Sequence, residues 1–164
     1  MITSMTRELP VPKDVKDLFE DLLGRPISVS PAEPIRGADI PNTLIAVYVD
    51  PTTHMGAVIG LDFALTAFVG AAIGLIPPGG AEACIEDKEI SKMIGENAIE
   101  VCNVLASLIN HEGAARLKLY NTFLPGNPPP NDAIAHLLAL GRRLDLTVDI
   151  GGYGAGQLAI AYAG

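Results

Sequence analysis

Hydrophobic positions first recur at helical spacing in PKDVKDLFEDLLG (residues 12–24), where Val15, Leu18, Phe19, Leu22 and Leu23 share one side before Gly24 and Pro26 end the run. This predicts an amphipathic helix, and a weak strand over Ile27 to Ser30 follows it. The pattern then turns β-branched and aromatic in TLIAVYVD (43–50). PTTH separates that run from MGAVIGLD (55–62), so the pair predicts an antiparallel hairpin. Asp62 is placed to cap a helix running to Leu75, because a carboxylate there accepts a backbone N–H and complements the helix dipole. A PPGG turn is expected to close that helix. The longest helical pattern extends from Asp87 to Asn110, with Gly113 as its stop. Strand-like ARLKLYNTFL occupies 115–124, and PGNPPPND then leads, with Asn131 or Asp132 as cap, into a helix through Leu140. LTVDI (146–150), a GGYGAG turn and QLAIAYA (157–163) make a second hairpin.

Hairpins imply antiparallel pairing, and helices can cover such a sheet on one face. The economical architecture is therefore an α+β two-layer sandwich, an antiparallel sheet with helices packed against it. A chain of 164 residues fits one domain, 1–164. Both halves contain a strand, a glycine-bearing turn and a second strand, at 43–61 and 146–162, a loose echo without a sequence repeat.

Composition narrows the function. The chain is 49% hydrophobic and 18% charged, which excludes intrinsic disorder, while 17 glycines and 13 prolines indicate many turns. With no Trp, four Phe, four Tyr and a formal charge of −8, neither base stacking nor phosphate-backbone binding is favoured, and nucleic acid is set aside. MITSMTRELPVPKD lacks the apolar stretch of a signal peptide, which leads to a cytoplasmic expectation. Residues 55–76 approach the ~20 apolar residues of a membrane span. Asp62 interrupts them, however, and a glycine-rich, β-branched first half followed by an alanine-rich second half reads as strand then helix. Cys84 and Cys102 lack disulfide-scaffold or zinc spacing and are expected to be reduced and buried.

The long helix carries an unusual line of polar residues. At about 100° per residue, Ile90, Ile94, Ala98, Val101, Leu105, Leu108 and Ile109 form the core sector, and Lys92, Glu96, Glu100, Asn103, Ser107 and Asn110 lie roughly opposite. Any half-buried helix has a polar back, so a solvated face explains much of this stripe. Two details point further. Ile99 and Val104 narrow the stripe, and asparagine is a poor choice for an exposed mid-helix position.

The segment DKEISKMIGENAIEVCNVLASLIN resembles the signature helix of the CheC/CheX/FliY group of chemotaxis phosphatases, whose motif is acid-x-x-x-Glu-x-x-Asn with a proline further on. Glu96, Glu100, Asn103 and Pro125 match it. The resemblance is good over 43–126 and lies in general layout beyond. Ala106 and Ser107 stand where family members often carry Gly-Asn, which bears on catalytic competence. The preceding helix, DFALTAFVGAAIGL, has no Glu-x-x-Asn, so the pattern is that of one-site CheX and not of two-site CheC. The resemblance implies dephosphorylation of the aspartyl-phosphate of a CheY-like response regulator. By that carry-over Asn103 orients the attacking water, Glu100 pairs with a lysine of the regulator, and Glu96 and Ser107 contribute to docking. Magnesium belongs to the regulator, and no metal or other cofactor is expected in this chain.

His54, His111 and His136 lack metal-ligand spacing, although His111 could favour a helix C-terminus as imidazolium. GGYGAG has no helix after it and suits a hairpin turn better than a phosphate cradle. No G-x-S-x-G occurs, neither cysteine has a basic neighbourhood, and PGNPPP fits a loop leading into a helix better than a ligand for a proline-reading domain. Two alternatives to the phosphatase stand: a catalytically silent relative that uses the same helix face for binding or dimerisation, and an unrelated α+β protein with a solvated stripe. Edge strands and the high hydrophobic fraction further suggest a homodimer.

Overall fold

The computed structural model describes residues 8–111 and 114–163. In chain order the elements are α1 (Pro12–Leu23), β1 (Ile27–Pro31), a 3-10 turn at Gly37–Asn42, β2 (Leu44–Val49), β3 (Met55–Leu61), α2 (Phe63–Ile73), α3 (Pro78–Asp87), α4 (Lys92–Ile109), β4 (Lys118–Phe123), α5 (Asn131–Leu138), β5 (Arg143–Ile150) and β6 (Gly154–Tyr162). Residues 1–7, part of the segment read for a signal peptide, and Gly113, the expected helix stop, lie outside the described residues.

The strands form one antiparallel sheet in the order β1-β5-β6-β3-β2-β4. Both expected hairpins are present and meet at the centre, where Ile59 of β3 faces Ile160 of β6. Exchanging β1 with β4, β2 with β5 and β3 with β6 reverses the strand order onto itself. The echo between the halves is thus a pseudo-twofold arrangement, in which α1 and α4 are counterparts and each outer strand crosses to the other half's hairpin.

On one face of the sheet Leu44, Ala46, Tyr48, Ile59, Leu61, Leu158 and Ile160 pack beneath α1, α2 and α4 in the main core. On the other, Ile45, Val47, Val49, Val58 and Ala159 meet Ala133 and Leu137 of α5. The expected α+β layering of helices on an antiparallel sheet is therefore observed, with α5 adding partial cover to the second face. Burial on both faces explains why β2 is apolar without alternation.

Asp62 caps α2 as expected, its Oδ1 accepting the Leu65 N–H at 2.8 Å. Leu65 to Ala72 are all buried, which accounts for the apolarity that raised the membrane question. Among the described residues no helix is long and apolar enough to cross a membrane. Cys84 and Cys102 are free and buried, and burial pushes the Cys102 thiol up to about 12. GGYGAG is the β5–β6 hairpin turn, with Gly152 at φ 85°.

Three expectations are corrected. PPGG is not a closing turn: Pro77 and Pro78 start α3, because the ring-fixed φ of proline suits a first helical turn and its missing N–H costs nothing there. The long helix does not begin at Asp87. Lys88 takes a left-handed conformation that ends α3, and α4 restarts after Ser91, whose Oγ accepts the Ile94 N–H at 3.3 Å. Nor does Asn131 or Asp132 cap α5; Pro130 holds the cap position without a side-chain hydrogen bond.

Helices α2 and α4 cross at Gly70, where an added Cβ would collide with the backbone carbonyl of Ile94. Gly79, in the first turn of α3, faces open space. Gly70→Ala is therefore expected to lose about 1–3 kcal/mol in urea unfolding. Gly79→Ala should gain about 0.5–1 kcal/mol by restricting the unfolded chain.

Candidate functional site

Helix α4 lies across the sheet with Ile94, Ala98, Val101, Leu105 and Ile109 buried, as its periodicity predicts. Polar ties on its inward side fix its position. Tyr48 of β2, fully buried, donates its hydroxyl to the Cys102 carbonyl at 2.5 Å, and burial raises its pKa well above the ordinary tyrosine value. Asn97 donates its amide to the Gly70 carbonyl of α2 at 3.0 Å. Asn110 exchanges two 2.7 Å hydrogen bonds with the backbone N–H and C=O of Leu117, and donates to the Ala106 carbonyl at 3.0 Å.

Asn110 thereby leaves the solvent stripe in which the helical wheel placed it. Because the helix ends at Ile109, its side chain turns back to hold the loop that delivers β4. The remaining members are exposed as expected: Lys92, Glu96, Glu100, Asn103 and Ser107. The Ser107 hydroxyl is engaged with the Val104 carbonyl at 3.0 Å. Among the described residues, Glu96, Glu100 and Asn103 have no hydrogen bond or ion pair with their own chain. The ion pairs instead join Lys13 to Asp17, Lys16 to Glu20, Arg36 to Asp39 and Arg143 to Asp145.

The asparagines of this helix region separate by environment. Asn97 and Asn110 spend their amides on backbone groups of other segments; Asn103 presents a free carboxamide to solvent one turn from a free carboxylate. An amide at that spacing can orient a water by donating and accepting, while the carboxylate holds a cation.

Strand β4 completes the site, and sequence periodicity missed its contribution. A cleft of about 270 Å³ runs between α4 and β4, lined by Ile99, Glu100 and Asn103 on one side and Leu119, Tyr120, Asn121 and Thr122 on the other. Leu119 pairs with Tyr48 and Asn121 with Val47, so Tyr120 is an extra, unopposed residue in a β-bulge. The bulge breaks strict alternation, which hid from sequence reading which β4 side chains turn toward α4. A signal available in the sequence was Tyr120 standing next to the polar pair Asn121 and Thr122.

Pro125 follows β4, separated from Phe123 by Leu124. The described residues contain no cluster of His, Cys, Asp and Glu able to hold a metal ion. His111, just beyond the end of α4, accepts the Glu8 N–H through Nε2 at 3.2 Å.

The pseudo-twofold counterpart of α4 is α1, not the helix preceding the motif. In α1 the acids Asp17 and Glu20 are paired with lysines and no Glu-x-x-Asn occurs, so the arrangement is present once among the described residues.

The sequence matches no protein-family model and no curated protein. Solved structures do match. A chain of the FliM–SpeE complex from H. pylori is 7% identical, with 92% of this chain and 80% of that chain covered and a TM-score of 0.58. Thermotoga maritima FliY is 13% identical, covering 93% and 89% at 0.50. A CheC-like superfamily protein from Shewanella sp. PV-4 is 11% identical, covering 93% and 94% at 0.50. The chain has the fold of the CheC/CheX/FliY group that its α4 segment resembles.

If Asn103 serves no structural purpose, Asn103→Ala leaves stability unchanged or raises it by up to about 0.5 kcal/mol through helix propensity. Asn110→Ala strands the buried Leu117 backbone groups and is expected to cost about 2–3 kcal/mol. Paired urea titrations check both.

Proposed function

We propose that this protein is a phosphatase acting on the aspartyl-phosphate of a CheY-like response regulator, in chemotaxis or a related two-component system. The observation that carries the reading is the free Asn103 carboxamide beside the free Glu100 carboxylate, on a helix whose neighbouring asparagines are tied to backbone. The fold shared with CheC-like and FliY proteins supports it.

In this reaction water attacks phosphorus, the phosphorus–oxygen bond to the aspartyl carboxylate breaks, and inorganic phosphate and a free aspartate result. Magnesium on the regulator supplies charge neutralisation at the phosphoryl group. The chain described here contributes position. Asn103 accepts a hydrogen bond from the water through its amide oxygen and donates one through its NH2 to a phosphoryl oxygen, holding the nucleophile in line. Glu100 forms a charge-assisted hydrogen bond with the regulator's lysine, which fixes the depth at which Asn103 enters. Glu96, one turn earlier and exposed, and Ser107, one turn later, extend the contact surface.

Ala106 and Ser107 in place of the family's Gly-Asn pair favour, as a second reading, a silent relative that binds a regulator without accelerating its dephosphorylation. Such a module would use the same face of α4, in the homodimeric or monomeric state.

The test is phosphate release from a phosphorylated CheY-type receiver. Wild type should accelerate it, Asn103→Ala should lower kcat by about tenfold or more, and Glu100→Ala should act mainly by raising KM. Equal rates for Asn103→Ala and wild type would sink the catalytic role. Binding without acceleration would select the silent module.

A further inference from the structure

Tyr120 is 66% exposed, although it stands on an edge strand beside the candidate site. The bulge holds it there, so its ring borders the α4–β4 cleft and also a hollow of about 250 Å³ on the opposite face, lined in part by Val47, Val49, Met55 and Phe123. At about 100° per residue, Met93 and Val104 lie on the flank of Glu100 turned away from Ile99 and Asn103. These are 64% and 38% exposed. Glu100 and Asn103 therefore sit between two apolar shoulders, Tyr120 on the β4 side and Met93 with Val104 on the other.

Unpaired negative charge at Glu96 and Glu100, on a chain of formal charge −8, fits a basic surface framed by apolar groups.

We propose that Tyr120 is the docking anchor for the response-regulator receiver domain, which covers the α4–β4 cleft when it binds. This rests on the regulator-binding reading above and adds the residue that sets affinity. Tyrosine is suited to the role, since it brings large contact area with few rotatable bonds, and binding energy concentrates on such residues where surrounding contacts exclude water. Asn103 then governs the chemical step while Tyr120 governs residence.

The experiment measures Kd, by titration calorimetry, for a CheY-type receiver from the same genome loaded with magnesium and beryllium trifluoride. Tyr120→Ala should weaken binding about tenfold or more. Tyr120→Phe, which keeps the ring, should stay within about threefold of wild type. Both Tyr120 variants should melt with wild type, since the ring is exposed. Binding by wild type with no loss in Tyr120→Ala overturns the anchor and leaves the phosphatase reading standing. Wild-type binding without phosphate release removes the phosphatase reading, while the Kd comparison still decides Tyr120. Failure of the wild type to bind any receiver from that genome overturns both.

Discussion

The side chain of Asn110 bonds to both backbone groups of Leu117, and through that clamp the end of α4 and the start of β4 become one unit. Tyr48 to the Cys102 carbonyl and Asn97 to the Gly70 carbonyl add ties to β2 and α2. All three act on the inward or terminal parts of the helix, so together with the apolar seam they set its rotation as well as its place. A rotation of one residue would turn every side chain by about 100°, carrying Asn103 off the cleft edge and an apolar residue into solvent. The polar positions at the site are therefore held by groups that never reach it, which is the preorganisation that a positioning mechanism needs.

The pseudo-twofold relation sharpens this view. Both halves build a helix beside an outer strand, yet they use it differently. In α1, Asp17 and Glu20 are engaged by Lys13 and Lys16, and Glu20 also accepts the Ile27 N–H at the entry to β1. In α4 the corresponding exposed face carries Glu96, Glu100 and Asn103, which have no partner among the described residues. One half has been left as scaffold and the other keeps unspent hydrogen-bonding capacity.

Edge position matters as much as helix position. Among the described residues β4 pairs only with β2, and the bulge at Tyr120 twists it locally where a straight edge would invite strand pairing with another chain. The same irregularity opens the cleft against α4. Protection of the edge and construction of a recognition surface are here two results of one extra residue.

The sequence by itself determined the elements whose periodicity or punctuation is local: the amphipathic α1, both hairpins, the Asp62 cap, and the division of α4 into a buried and a polar face. It also singled out Asn103, because helix propensity makes a mid-helix asparagine costly. Its errors fell where local signals are ambiguous, at the PPGG that opens α3, the left-handed Lys88 that separates α3 from α4, and the proline that displaces a polar cap from α5. What only the tertiary structure decided is which asparagine is free. Asn97, Asn103 and Asn110 look alike along the chain, and their difference comes from Gly70 of α2 and Leu117 before β4, segments that folding brings to α4. The β4 wall of the site was hidden for the same reason, since a bulge is set by pairing with β2 and leaves no period in the sequence.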